Sequence, residues 1–400
     1  MTPRVGRSVS TPRAAPRAPR AAAADLGLGR GWEAGALLAV TVALLVFGLA
    51  TLFSASAYIA QRAQEPGHYY VVRQAVGATL GLVALAVCAW MPYDIWRRWS
   101  WHVAGAVWVL LLVVVLPGTE AIAPVVKGSR RWIRMGVTLQ PSELAKVAIV
   151  VWTAALAVRK QAEFRSLRRG LGPFLAGWAV LLVPIALEPD LSTTVLVGLL
   201  GVVVVYAAGA RLGHFVFLGL LTLPLLIGQL QEGFRARRLS AFLDPSADPS
   251  GAGFQVQQSL VALGSGGLTG VGFGEGRQKF GFVPEAHNDF IFAMIGEEWG
   301  LLGVLVTVTL YGLLVLIGFR IAGRAPDLFG QLLGIGLTSM IALQAVLHMS
   351  VGLGLVPPTG LALPLVSYGR SNLLVTLAAI GILISIARTS ERVYYGGGRA

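Results

Sequence analysis

Cysteine is almost missing: Cys88 is the single one in 400 residues, so neither an internal disulfide nor a thiolate metal cluster is open to the chain. Charge is scarce too. Asp, Glu, Lys and Arg make up 13% of the residues, against about 25% in a water-soluble domain, which excludes an ordinary soluble surface. Acid is scarcer than base, 19 residues against 32, for a formal net charge of +13. The glycine-dense stretch Gly264–Gly276 has no Gly-Lys-Ser/Thr after it and no strand pattern before it, which excludes a P-loop and a dinucleotide fold. No internal repeat is visible, and the two halves do not show the paired interrupted helices of many transporters.

What fills the chain instead is apolar sequence: 55% of the residues are hydrophobic and the mean hydropathy is +0.71. Apolar runs close to the ~20 residues that cross a bilayer lie at about 35–58, 71–91, 101–117, 142–158, 172–187, 191–209, 213–230, 288–319, 328–353 and 361–387. The expectation is an all-α polytopic membrane protein with about ten transmembrane helices and one large extracytoplasmic loop, 231–287, between helices 7 and 8. Residues 1–30, rich in Arg, Ala, Pro and Ser, read as a disordered basic cytoplasmic tail. Residues 31–390 then form the membrane domain, and 391–400 a second cytoplasmic tail.

The basic excess sits mostly in short loops between apolar runs, which fits membrane orientation and anionic lipid headgroups rather than nucleic acid. Loops on the side of the first tail carry Arg97, Arg98, Arg159, Lys160, Arg168, Arg169, Arg320 and Arg324, so the positive-inside bias places both termini in the cytoplasm. Two outer loops oppose that bias. One carries Lys127, Arg130, Arg131 and Arg134; the other carries Arg235, Arg237, Arg238, Arg277 and Lys279. An anionic ligand at the outer surface explains them; snorkelling of long side chains to lipid phosphates is the alternative.

Three polar constellations stand out. In K-G-S-R-R-W-I-R-M-G-V-T-L-Q-P-S-E-L-A-K, from Lys127 to Lys146, Pro141 suits a first helical turn with Glu143 at its positive end. Glu143 and Lys146 are spaced to pair on one face, as a structural ion pair or as part of a ligand site. Trp132 fits an interface anchor equally well. In E-P-D-L-S-T-T, from Glu188, Asp190 is most simply a helix cap. In P-E-A-H-N-D-F-I-F-A-M-I-G-E-E-W-G, from Pro284 to Gly300, Asp289 stands where a polar loop meets an apolar run. A carboxylate there is a functional candidate, or else Asp289 or Asn288 only caps the helix. At 100° per residue Glu297 lies about 80° round from Asp289 and Glu298 about 180°. Glu297 can therefore share the side of Asp289, while Glu298 pairs elsewhere. The glycine-dense stretch lets backbone pack closely on a helix or ligand.

These stretches resemble the SEDS family (shape, elongation, division and sporulation), whose members include FtsW, RodA and SpoVE. The likeness covers nearly all the chain outside the first tail and is strongest at R-Q-K-F-G-F-V-P-E-A-H-N-D-F-I-F-A-M-I-G-E-E-W-G. The family ending is present from Gly354 to Ser371, with Arg370 where a glycine is usual and His348-Met349-Ser350 in place of the usual Asn-x-Gly. The resemblance implies a peptidoglycan glycosyltransferase of the bacterial cytoplasmic (inner) membrane. Its substrate would be lipid II, a disaccharide-pentapeptide on undecaprenyl pyrophosphate, and its partner a class B penicillin-binding protein. Asp289 falls on the family's catalytic Asp and would act as general base. Lys127, Arg131, Trp132, Arg277, Lys279, Glu285, His287 and Glu297 are then candidates for substrate binding. Gln140, Glu143, Lys146, Asp190, Ser367 and Arg370 are candidates for cavity polar groups. The resemblance fixes no cofactor, implies no dedicated metal ligands, and leaves room for a divalent cation. A flippase for a lipid-linked precursor needs the same cations but no base, and a non-catalytic division scaffold needs neither.

Overall fold

The computed structural model describes residues 31–126, 129–135, 137–164, 166–230, 233–244, 251–283 and 285–395. Twelve α-helices occur among them. They are α1 (Trp32–Arg62), α2 (Tyr69–Trp90), α3 (Asp94–Val115), α4 (Pro141–Lys160), α5 (Gly172–Leu187), α6 (Leu191–Ala207), α7 (Leu212–Leu230), α8 (Gly233–Leu243), α9 (Ala252–Ser265), α10 (Ile291–Gly323), α11 (Leu328–Gly352) and α12 (Arg370–Tyr395). The chain is a polytopic helical membrane protein. Eight of these helices, with short flanking turns in two cases, are long and apolar enough to cross a bilayer, and the bent α7 makes a ninth. α6, at 17 residues, is shorter. The bend in α7, 41° between Leu220 and Thr222, has a local cause. Pro224 has no N–H for the Leu220 carbonyl, and its ring crowds that carbonyl.

Each of the ten apolar runs lies on one of these helices, and the two others, α8 and α9, fall inside the expected outer loop. Several boundaries differ from expectation, among them that of α3, which opens at Asp94 rather than near 101. The last run opens at 361, yet its first nine residues are not helical and α12 starts at Arg370. Pro364 and the glycines Gly360 and Gly369 explain that delay. At its other end α12 continues to Tyr395, past the boundary expected at 390. The first tail and residues 396–400 lie outside the described residues. A two-stranded antiparallel hairpin, β1 (Ile133–Met135) with β2 (Val137–Leu139), pairs Ile133 with Leu139 and Arg134 with Thr138. It is a small addition to an otherwise helical chain, and its alternating I-R-M and V-T-L could have signalled it.

α12 lies along α2, α10 packs on α11 and α1, and α4 packs on α3, α6 and α11. α4, α11 and α12 are the most enclosed of the spans. One break organises the rest. α10 is interrupted at Gly300 (φ 65, ψ −159), which frees the carbonyls of Glu297 and Glu298 and the N–H groups of Leu301 and Leu302. The glycine-rich loop meets all four. Val271 and Gly272 donate to Glu297 and Glu298 at 3.0 and 3.2 Å, and Leu301 and Leu302 donate to Gly267 and Leu268 at 2.9 and 3.1 Å. A Cβ at Gly300 would stand 2.3 Å from the Gly270 nitrogen. The glycines of this loop thus serve backbone-to-backbone docking, the way irregular chain is tolerated at membrane depth.

Candidate active site

The carboxylate singled out by sequence is held by a tight turn. Glu285 takes a left-handed conformation (φ 56), and its carbonyl accepts from the N–H groups of both Asn288 and Asp289, at 2.9 and 3.0 Å. Ala286 and Phe290 anchor the turn in a small apolar cluster with Ala55, Ala262, Val283, Ala293, Met294 and Val351. That alternation leaves Asn288 and Asp289 half-buried. α10 begins at Ile291 and its N-cap position falls on Phe290, whose side chain makes no capping bond. Asp289 is therefore not the cap residue of that helix.

The segment between α11 and α12 forms the facing wall. Ser367 Oγ donates to the Asn288 carbonyl at 2.8 Å and accepts from Leu363 N at 2.9 Å. Tyr368 N donates to the His287 carbonyl at 3.1 Å. The His287 ring is buried between Tyr70 and Tyr368, with centroids 4.8 and 5.7 Å away. Gly360 (φ +72) brings bare backbone up to the carboxylate: a Cβ there would lie 4.0 Å from Asp289 Oδ2. Arg238, on α8, donates from Nη1 to the Pro358 carbonyl of the same wall at 3.1 Å.

Cations and acids converge from two further elements. Arg131 donates to the carbonyls of Glu188 and Pro189 at 3.1 and 2.9 Å and lies 3.8 Å from Asp190 Oδ2. Asp190 also caps α6 by accepting from Thr193 N at 3.2 Å. Burial lowers the Arg238 guanidinium from its usual range; Asp289 and Asp190 push it back up, and Arg131 pushes it further down. Those charges are thus close enough to act on one another. Glu188 is buried in the turn before α6. Burial, reinforced by Asp190 and opposed by Arg131, raises its carboxyl to about 9.

Other expected site residues face elsewhere. Glu297 does not share the side of Asp289: its carboxylate accepts from the backbone N–H groups of Arg277 at 2.7 Å and Gln278 at 3.2 Å. Asp289 lies in the turn before α10, which starts at Ile291, so a helical projection from Asp289 to Glu297 does not apply. Lys279 is buried against Glu298, with Nζ 2.7 Å from Oε1 and 2.8 Å from Ser54 Oγ. Glu298 thus pairs with a loop lysine and a helix α1 serine. The Arg277 side chain is exposed. Glu143 and Lys146 form a buried pair at 2.5 Å. Asn372 donates to Glu143 at 2.9 Å and Lys146 to Gln344 at 3.0 Å, so the pair knits α4 to α11 and α12. The Gln140 side chain donates to Ser142 Oγ at 3.0 Å, and its backbone N–H to Ser371 Oγ at 3.0 Å. Arg370 reaches Thr138 in the hairpin, and its stem packs beside Gly77 on α2. Trp132 is half-buried ahead of the hairpin. Lys127 lies outside the described residues. Among the described residues no three His, Cys, Asp or Glu side chains gather as a metal site.

Arg238, Glu188 and Gly360 were not singled out by sequence. Arg238 was one of several loop arginines, and only the fold of α8 against 356–360 distinguishes it. Glu188 adjoins the capping Asp190 and reads as a solvated acid until its burial is seen.

A family model described as "Cell cycle protein" and covering FtsW, RodA and SpoVE matches residues 35–392. A Geobacter metallireducens protein named "Probable peptidoglycan glycosyltransferase FtsW" is 40% identical over 353 residues, 88% of this chain and 93% of that one. Stage V sporulation protein E of Bacillus subtilis is 40% identical over 358 residues, 89% of this chain and 97% of that one. Among solved structures, a chain from "Structural coordination of polymerization and crosslinking by a peptidoglycan synthase complex" superposes with a TM-score of 0.73 at 29% identity, covering 88% of this chain and 97% of its own. The rod shape determining protein RodA of Thermus thermophilus superposes with a TM-score of 0.63 at 27% identity, covering 90% and 97%.

Proposed function

Because the chain belongs to the FtsW, RodA and SpoVE family, we propose that it polymerises lipid II into glycan strands at the outer face of the bacterial cytoplasmic membrane, with Asp289 as the general base. In this reading Asp289 takes the proton from the acceptor sugar's 4-hydroxyl as that oxygen attacks the donor's anomeric carbon. The leaving group is a lipid pyrophosphate, whose growing charge calls for fixed cations. Arg131 and Arg238 fill that role, with Arg277 and Lys127 further candidates. Lys279, tied to Glu298 inside the protein, serves the scaffold instead. With a single lead carboxylate, direct displacement with inversion is favoured over a covalent intermediate.

The observation that carries this reading is the setting of Asp289. It sits outside the cap position, half-buried, against bare backbone at Gly360 and within charge range of Arg238. A flippase or scaffold has no need of a carboxylate so placed. The orientation, with both termini cytoplasmic and 231–287 outside, rests on the arginine distribution. The partner is read as a single-pass class B penicillin-binding protein that cross-links the product, in line with the synthase complex to which a solved relative belongs.

The test compares Asp289→Asn with Asp289→Ala in lipid II polymerisation by the purified protein with its partner. Loss of the base costs ~10²–10⁴-fold, and both variants should lose that much. A residue held only for capping would tolerate Asn, which caps about as well as Asp. Polymerisation by the Asn protein near the wild-type rate would sink the assignment.

A further inference from the structure

The wall opposite Asp289 is irregular chain enclosed by helices, and side chains from other elements hold its carbonyls. Tyr311 on α10 donates to Pro364 O, and Gln74 on α2 donates to Ser367 O at 3.0 Å while accepting from Gly369 N at 3.1 Å. The most concentrated grip comes from α11. Gln344 and His348, one turn apart on a single face, take two successive carbonyls: Gln344 Nε2 donates to Ala362 O at 3.2 Å, and His348 Nδ1 lies 2.7 Å from Leu361 O. The next residue toward α11 is Gly360, the one that faces Asp289.

We propose that His348 and Gln344 are positioning residues for Asp289, a two-point clamp that sets the Gly360 backbone against the carboxylate. The proposal rests on the reading of Asp289 as the base. Three features carry it. A carbonyl can only accept, so Nδ1 holds the ring proton and Nε2 is left as a bare acceptor. Nε2 is buried and makes no hydrogen bond among the described residues. An orphaned buried acceptor is a cost that a space-filling residue such as leucine would not carry, so the Nδ1 bond is what this side chain supplies. Second, Gln344 is itself fixed: its Oε1 accepts from Lys146, which is paired with Glu143. The clamp is thus braced by the most enclosed helices of the bundle. Third, the clamped segment runs directly into Ser367 and Tyr368, which bond the carbonyls of Asn288 and His287. Loosening Leu361 and Ala362 therefore frees the wall on both sides of the carboxylate.

Satisfaction of buried polar groups alone predicts lower stability and nothing more. Positioning predicts a loss in kcat with KM preserved, and rescue by asparagine, whose Nδ2 occupies the place of His Nδ1. The experiment uses the full chain in phospholipid nanodiscs with wild type, His348→Leu, His348→Asn and Gln344→Leu. It measures amide hydrogen exchange at Asp289 and Tyr368, and the kinetics of lipid II polymerisation. Exchange at those two amides should quicken in His348→Leu and Gln344→Leu as local opening becomes easier. Their kcat should fall up to about 10²-fold, as expected for a misplaced base, while His348→Asn stays close to wild type in both readouts. Unchanged exchange in folded His348→Leu or Gln344→Leu would overturn the clamp. So would equal kcat losses in the Asn and Leu variants. If the leucine variants do not fold, rapid exchange at Tyr368 in His348→Asn overturns it, and wild-type exchange there upholds it. Exchange needs no turnover, so it judges the clamp even if Asp289→Asn proves active and the glycosyltransferase reading fails.

Discussion

Lys279 Nζ stands 2.7 Å from Glu298 Oε1, both side chains buried, across the junction between the glycine-rich loop and the broken helix. The loop cation that sequence places near a pyrophosphate is an internal lock. Removing one member of a buried pair strands the other charge, at about 3–5 kcal/mol. Lys279→Met should therefore lower thermal stability in detergent, and Lys279→Met with Glu298→Leu should recover much of it. A Lys279→Met protein as stable as wild type, with only KM raised, would return the lysine to the substrate.

Arg277, two residues earlier, should behave in the opposite way. Its backbone N–H holds Glu297 while its side chain is exposed, so Arg277→Ala keeps the fold. Losing one charge-assisted bond to pyrophosphate, about 1.5–3 kcal/mol, should weaken lipid II use about ten- to hundred-fold, with less effect in high salt. Unaltered kinetics at low salt would remove Arg277 from the site.

Glu188 predicts a pH dependence of stability. Its carboxyl is raised from 4.5 to about 9 in the folded protein, so the folded state holds a proton that the unfolded chain releases. Stability from this group is full below about pH 4.5 and declines as pH rises toward 9, where the folded group also ionises. Glu188→Gln removes the titration. It should flatten the melting-temperature profile between pH 6 and pH 9 and match or exceed wild type at the alkaline end. Parallel profiles for the two proteins would count against a protonated Glu188.

Orientation is open to a direct test, because the native Cys88 is buried and should give little background. A cysteine at Ser250 should react with a membrane-impermeant maleimide in intact cells, and one at Ser166 should not. The reverse pattern would invert the topology.

The sequence made the helical membrane class legible because ten apolar runs of bilayer length leave few other solutions. It also made the Asp190 cap and the Glu143–Lys146 pair legible, since both depend on spacing within one or two turns. Glu297 was misdirected because a 100° projection from Asp289 assumes that residue is on the helix, whereas α10 starts at Ile291. The break at Gly300 is a separate feature, and Glu-Glu-Trp-Gly is a weak sign of it without the partner loop in view. Arg238 and Glu188 were illegible for a different reason. Their character comes from burial and long-range neighbours, which spacing does not encode. The delayed start of α12 was readable from Pro364 and its flanking glycines, had the apolar run not masked them.

The interruption at Gly300 also bears on how the chain is made. A continuous helix of 33 residues would be about 50 Å long, well beyond the ~30 Å of a hydrocarbon core. Divided at Gly300, its second part alone is long enough to span. The first part carries two acids and ends in carbonyls that the glycine-rich loop must meet. That loop is synthesised earlier yet has nothing to dock on until 291–302 emerges, and the wall at 360–368 emerges later still. Chain order alone therefore means that the loop can close on the break only after 291–302 is made, and that the segment facing Asp289 is added only with the last helix. A chain stalled before α12 would hold its earlier membrane helices without the wall that faces Asp289, so the proposed centre would stay incomplete until synthesis was finished.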